Sequence, residues 1–302
     1  MTTDFRSGFV CLVGRPNTGK STLTNALVGT KIAITSSRPQ TTRHTIRGII
    51  HREDGQIVMV DTPGLHRPRT LLGQRLNDLV RDTYAEVDAV GVCIPANEKI
   101  GPGDRWILEQ LQSVAPRTPV IGVVTKIDKV SKAEVIEQLI AVSKQLGDKA
   151  EVIPVSAKTG ENVERFTELL RTMMPEGPAL YPEGELTDEP EIVLMAELIR
   201  EAALEGVRDE LPHSLAVVIE ELKDSTNKKG QPVLTIFANL YVERPSQKSI
   251  IIGKGGTRLR AVGSAARAQL ERIFGTKVFL DMHVKVAKDW QRDPKQLGKL
   301  GF

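Results

Sequence analysis

The chain has 302 residues, 40% hydrophobic, 26% charged and only 4% aromatic, so it suits two domains with cores of Val, Ile, Leu and Ala. Its two cysteines, Cys11 and Cys93, both lie inside apolar runs, which excludes a disulfide-stapled scaffold and a cysteine zinc site. The net charge of +3 is unevenly divided: from Lys228 onward fifteen Lys and Arg face five acids, a net of +10 that leaves −7 for the rest. That division is the mark of one acidic module and one that meets a polyanion.

Up to about residue 174, short β-branched runs at 9–13, 57–60, 89–94, 120–124 and 152–155 read as buried strands. Amphipathic stretches at 105–112, 132–146 and 162–173 read as helices between them. This alternation predicts an α/β domain with a mixed, mostly parallel sheet and helices on both faces. Residues 45–52 and 56–60, separated by Glu53-Asp54-Gly55, read as an antiparallel hairpin on one edge. Pro175, Pro178, Pro182 and Pro190 then mark an extended linker, because proline lacks a backbone donor and biases its predecessor away from helix. Beyond it, Ile192, Met195, Ile199, Ala202 and Ala203 recur at helical spacing. Residues 214–222 and 233–242 read as strands joined by a polar turn at 224–230, two short helices flank 253–256, and 277–286 is a last strand. The expected organisation is a nucleotide-binding domain over 1–175, a linker over 176–190 and an α+β domain over 191–302. No apolar run nears the ~18 residues of a membrane span. The opening residues carry no basic-then-apolar leader, and a cytoplasmic protein is expected.

Gly14-Arg15-Pro16-Asn17-Thr18-Gly19-Lys20-Ser21 fits G-x-x-x-x-G-K-[ST], directly after the first strand and opening a helix over 21–28. Gly14, Asn17, Thr18 and Gly19 can curl backbone N–H groups around phosphate oxygens, at the positive end of the helix that Thr22 helps to begin. Lys20 reaches the outer phosphates and the Ser21 hydroxyl is placed to ligate Mg²⁺. Asp61-Thr62-Pro63-Gly64 follows the strand at 57–60. Asp61 there can hold the metal through water, and Gly64 can offer a γ-phosphate its N–H.

Thr125-Lys126-Ile127-Asp128 ends the strand at 120–124, and Ser156-Ala157-Lys158 follows the one at 152–155. Asp128 can accept the N1–H and 2-amino donors of guanine, a pattern adenine lacks, and an unpaired carboxylate would penalise the wrong base. A backbone N–H of Ser156, Ala157 and Lys158 can meet guanine O6 while the Lys158 stem covers a ring face. All four segments stand at the C-terminal ends of strands, where α/β sheets bind ligands.

In the basic half, Ile250-Ile251-Ile252-Gly253-Lys254-Gly255-Gly256 links two helices, follows two strands and precedes a third, the layout of a type II KH domain. Gly253, Gly255 and Gly256 let a nucleic-acid backbone approach, Lys254 and Arg258 stand near phosphates, and the apolar side of Ile250, Ile251 and Ile252, with Ile251 as the named contact, is expected to line a groove for about four unstacked nucleotides of single-stranded RNA. The +10 charge adds non-specific attraction.

Residues 8–174 resemble the translation-factor-type GTPases, and the whole chain resembles the Era-type GTPases with a C-terminal KH domain. The resemblance rests on G-R-P-N-T-G-K-S, Gln40-Thr41-Thr42-Arg43-His44, D-T-P-G-L-H and G-K-G-G. It implies a switch segment around residues 32–43, with Thr42, or Thr41 as the alternative, ligating Mg²⁺ when GTP is bound. It implies GTP and GDP as ligands, and as partners the 3′ end of 16S rRNA and the assembling 30S subunit. A monomer and a peripheral contact with the inner membrane face are implied with them. Leu65 stands where Ras-like proteins place a water-orienting Gln. GTPases with an apolar residue there use an Asn at the position of Asn17 to bind K⁺, which supplies charge otherwise given by an arginine finger. Thr125 stands where the family has Asn, as in the T-K-x-D of Rho-type GTPases, so modestly weaker nucleotide binding is expected. The competing reading is an RNA-binding or chaperone module whose nucleotide domain senses GTP but barely hydrolyses it.

Overall fold

The computed structural model describes residues 5–35, 41–64, 70–147, 150–207, 211–227 and 229–302. Strands β1 (Arg6–Val13), β2 (Ile46–Arg52), β3 (Gly55–Asp61), β4 (Ala89–Pro95), β5 (Val120–Thr125) and β6 (Glu151–Pro154) form one sheet in the order β2-β3-β1-β4-β5-β6. Only β2 is antiparallel, and its pairing brings Arg52 opposite Gly55, so the hairpin turn is the two residues Glu53 and Asp54. β1 shows why the central strands are continuously apolar. Val10 and Leu12 pack with Leu23 and Leu27 of α1 (Lys20–Val28) on one face. Cys11 and Val13 pack on the other with Val80 and Tyr84 of α2 (Leu71–Glu86) and Ile107 and Leu111 of α3 (Pro102–Val114). Helices α4 (Lys132–Leu146) and α5 (Val163–Met173) complete the two layers, Val142 joining the second core and Phe166 the first. The sequence reading leaves α2 unassigned, although Leu72, Leu76, Val80 and Tyr84 repeat at i+4 and are all buried.

The Pro-rich stretch is extended, as its composition requires, but it is laid along the sheet. Gly177 N–H donates to Phe5 O at 3.0 Å, and Ser7 N–H to Pro175 O at 3.0 Å. The Gln56 side chain accepts from Leu180 and Tyr181 N–H at 2.7 and 2.9 Å and donates to Tyr181 O at 2.9 Å. On the edge strand, Ile49 N–H donates to Leu186 O at 2.9 Å, and Arg47 pairs with Asp188 at 3.0 Å.

The chain divides into two compact units, with the boundary between Asp188 and Glu189; residues around Ile34 and Leu72 sort with the second. That unit holds α6 (Glu191–Leu204), α7 (Leu211–Ser214), β7 (Ala216–Thr226), β8 (Pro232–Val242), α8 (Pro245–Ile252), α9 (Thr257–Phe274), β9 (Lys277–Val286) and α10 (Pro294–Lys299). β8 is central, antiparallel to β7 and parallel to β9. Alternate residues Ile236, Ala238, Leu240 and Val242 enter a core with Leu198 and Ile199 of α6 and Val262, Ala266 and Leu270 of α9. One expectation shifts: β7 begins at Ala216, with Ser214 closing α7. Among the described residues, no helix is long and apolar enough to cross a membrane.

Candidate functional site

The loop between β1 and α1 folds back on its own carbonyls. Gly14 has φ 154°, and a Cβ there would stand 2.7 Å from Cys93 O and 2.8 Å from Thr18 Oγ1, so a side chain would block the turn. Lys20 is buried, and its Nζ donates to Gly14 O and Arg15 O, each at 3.0 Å. Burial holds this ammonium below the ordinary lysine range, with the Asp61 charge pulling the other way.

Beside it the three residues expected at the metal converge. The Ser21 and Thr42 hydroxyls lie 3.0 Å apart, and Thr42 Oγ1 donates to Asp61 Oδ2 at 3.3 Å. Asp61 is fully buried and its Oδ1 has no hydrogen-bond partner among the described residues. Burial raises its carboxyl above the usual carboxylate range, against the pull of Ser21, Lys20 and Thr42. A buried carboxylate oxygen without a partner is costly. Set against two hydroxyls, it makes a donor set for a hard divalent cation. Gly64 lies against the loop, where a Cβ would stand 3.1 Å from Pro16 N. Leu65 falls outside the described residues.

A cavity of roughly 250 Å³ opens beside the loop, lined by Gly19 and Thr22, by Thr125, Lys126 and Asp128 after β5, and by Ala157 and Lys158 after β6. Ser156 Oγ donates to Asp128 Oδ1 at 2.8 Å and so orients the carboxylate. Ser156 N–H is already given to Glu161 O at 3.0 Å, so of the three residues Ala157 and Lys158 are the ones that line the cavity. Thr125 Oγ1 donates to Thr18 O at 2.6 Å, and Lys126 Nζ donates to Asn17 O. Short as it is, the Thr125 side chain thereby ties β5 to the phosphate loop. Asn17 itself stands exposed at φ 64°.

In the second unit Gly253, Gly255 and Gly256 all take positive φ, and Lys254 and Gly255 are exposed. A cleft of about 560 Å³ runs between α9 and β9, lined by Gly256 just before the helix, by Leu259, Arg260, Gly263, Ser264 and Arg267 on it, and by Phe279, Leu280 and Met282 on the strand. Of the six residues expected at the RNA, Gly256 alone lines this cleft; Gly253, Lys254 and Gly255 belong to the turn before it, and the other two are committed elsewhere. Ile251 is 0% exposed and belongs to the core, with Ile252 partly buried against it, whereas Ile250 falls on the outer face of the helix and is exposed. Arg258 Nη2 donates to Ala203 O at 3.2 Å and Glu205 O at 2.7 Å, capping the carbonyl end of α6.

Residues 9–126 match the family described as 50S ribosome-binding GTPase, and residues 210–291 match the KH domain family. GTPase Era of Mycolicibacterium smegmatis is 71% identical over 300 residues, 99% of this chain and 100% of that protein. The chain belongs to the Era family of GTPases. Era of Mycobacterium tuberculosis is 68% identical over 301 residues, again covering 99% of this chain and 100% of that protein. The crystal structure of Era in complex with MgGDPNP and nucleotides 1506–1542 of 16S ribosomal RNA superposes with a TM-score of 0.92 at 37% identity, covering 98% of this chain and 99% of that one. A Tyr-to-Ala variant of Aquifex aeolicus Era bound to GDP·AlF4− gives a TM-score of 0.92 at 36% identity with the same coverage.

Within this Era-family chain, the cleft brings together Arg260, Arg267 and Phe279, which sequence reasoning did not single out. The signal was present: Arg260, Gly263 and Arg267 share one face of α9, two cations with a small residue between them. Phe279, 58% exposed on an edge strand, is the kind of aromatic that stacks on a base.

Proposed function

We propose that this chain is a GTP-hydrolysing switch that binds the 3′ end of 16S rRNA through its KH unit during assembly of the 30S subunit in the cytoplasm. The observation that carries the reading is the convergence of Ser21, Thr42 and Asp61 beside buried Lys20, with a carboxylate oxygen still unpaired. These three side chains would hold Mg²⁺, Asp61 through water and Thr42 rather than Thr41 as the switch threonine. The bound ion would neutralise charge on the β- and γ-phosphates.

Around that position the chain's own groups divide the work. Lys20 stabilises charge on the outer phosphates in a dry site, where an electrostatic contact counts for more than in water. The Gly64 N–H meets the γ-phosphate and releases it after hydrolysis. Asp128 reads N1–H and the 2-amino group of guanine, Ala157 N–H reads O6, and the Thr22 and Lys158 walls enclose the base. Asn17, exposed with an amide oxygen, would hold K⁺, whose charge stands in for an arginine finger. Lys254 with the Gly253, Gly255 and Gly256 backbone receives the RNA, and the cleft of Arg260, Arg267 and Phe279 continues its path. The same reading makes the chain a monomer whose basic unit also rests on an anionic membrane face.

The test is multiple-turnover phosphate release with Mg²⁺, with and without RNA, in K⁺ and in Na⁺. Binding of GTP without turnover in any condition would overturn the hydrolytic reading, and indifference to the monovalent ion would remove K⁺. Asp128→Asn should move preference from GTP toward XTP, read by competition binding; unchanged selectivity would misplace the guanine site.

A further inference from the structure

Arg15 has no part in the chemistry above, although it is the second residue of the phosphate loop. Its side chain points away from the nucleotide cavity into a socket. Nε donates to Asp104 Oδ1 at 2.8 Å and Nη2 to Glu98 Oε2 at 2.9 Å. Asp104 is 3% exposed, and its other oxygen accepts Gly101 N–H at 2.8 Å at the start of α3, so this carboxylate cannot swing aside. The Glu98 segment is tied in turn, with Gln138 Nε2 of α4 donating to Pro95 O at 3.1 Å and to Glu98 O at 2.9 Å. The Arg15 stem crosses Gly103, where a Cβ would stand 2.9 Å from Arg15 Cδ.

The backbone of the same residue faces the site. Arg15 O accepts Thr18 Oγ1 and Lys20 Nζ, each at 3.0 Å, and the following Pro16 is the surface against which Gly64 lies. One residue therefore joins a fixed socket on α3 to the cradle of the outer-phosphate lysine.

We propose that Arg15 is a positioning residue for phosphoryl transfer: its fork on Asp104 and Glu98 fixes the carbonyl that holds Lys20 and the Pro16 face that holds Gly64. The inference rests on the GTPase reading above. Its logic is that a planar guanidinium on a buried carboxylate sets direction as well as distance. Small displacements at a reacting centre cost rate far more than they cost binding. The Glu98 half of the fork, with a side chain 40% exposed, contributes less than the buried Asp104 half.

The experiment compares wild type with Arg15→Gln, Arg15→Lys, Asp104→Asn, Glu98→Gln and the Arg15→Gln/Asp104→Asn double variant. It measures kcat and KM for GTP, affinity for a fluorescent GDP analogue, and thermal melting. Arg15→Gln should lower kcat by about tenfold while KM and GDP affinity stay within about twofold, the pattern of an interaction felt mainly in the transition state. Arg15→Lys should recover part of kcat, Asp104→Asn should match Arg15→Gln, and Glu98→Gln should lose less. The double variant should be no slower than the worse single, because both substitutions break the same ion pair. Unchanged kcat in Arg15→Gln overturns the inference. So does a fall in kcat matched by equal losses of GDP affinity and melting temperature, or losses that multiply in the double variant. Wild-type turnover tests the GTPase reading, and the ratio of variant to wild type tests this inference.

Discussion

The phosphate loop is braced from far along the chain, whereas the G-K-G-G turn is braced by its neighbours. Asn17 O and Thr18 O are held by Lys126 and Thr125, and Arg15 is held by Glu98 and Asp104, partners more than 80 residues away. At the second turn, Gly253 N–H returns to Ser249 O, Thr257 Oγ1 donates to Lys254 O at 2.9 Å, and Arg260 Nη2 donates to Gly255 O at 2.7 Å. The first site exists only when the whole sheet has formed, and its groups stand ready for a charged, dehydrated ligand. The second is a local structure with an open face, suited to a long flexible chain that meets it in solution.

Substitutions that break this contrast should differ in reach, and the largest effect belongs to the buried site. Lys20→Ala removes the only described cation bonded to both Gly14 O and Arg15 O and should cut GTP turnover by about 10²–10³-fold, with weaker nucleotide binding. Phosphate release in single turnover measures it, and wild-type rates would mean the loop is misread. Next in size, Lys254→Asp with Gly255→Asp should weaken single-stranded RNA binding by about tenfold or more. Its logarithmic salt slope should flatten by about 0.7 for each phosphate that is no longer neutralised. GTP affinity should stay at the wild-type value, and melting should fall only slightly, by the strain of placing Asp at the left-handed Gly255 position.

Two smaller effects sharpen the contrast. Thr125→Val keeps the shape but strands Thr18 O without its 2.6 Å partner, a loss of about 1 kcal/mol, or about fivefold in GTP affinity. Titration with a fluorescent GTP analogue would show it. The smallest effect expected is none. Burial pushes the Cys11 and Cys93 thiols up to about 12, so neither is a thiolate near neutral pH. A thiol reagent at pH 8 should label the native protein at neither residue and the unfolded chain at both.

The same contrast explains what could be read from the amino-acid order. Strands buried on both faces announce themselves as unbroken apolar runs, and motifs at their tips inherit position from the sheet, so Lys20, Asp61 and Asp128 were legible. The braces were not. Nothing near Arg15 in sequence names Asp104, and nothing near Gln56 names Tyr181, because these pairings arise only when the chain closes on itself. Within the second unit the errors are of facing: Ile250, Ile251 and Ile252 are alike in hydropathy, and only the packing of α8 decides that Ile251 is inside. Arg258 reads as a phosphate ligand by its charge, yet its guanidinium caps α6. Arg258→Ala should therefore lower stability by about 1 kcal/mol and leave RNA affinity near wild type, seen in paired melting and binding curves.

The strap over residues 175–188 bears on the solubility of the chain during and after folding. β2 is an outer strand, and an outer strand with open N–H and C=O groups is a template for pairing with another molecule. Here Ile49 N–H is taken by Leu186 O and the His51 ring nitrogen lies 2.7 Å from Glu185 O, so a foreign strand finds that part of the edge occupied. The covering segment carries Pro175, Pro178 and Pro182, which have no N–H to offer a further strand. The edge is thereby closed by a segment that is itself a poor template, and β-pairing between molecules stops at the strap.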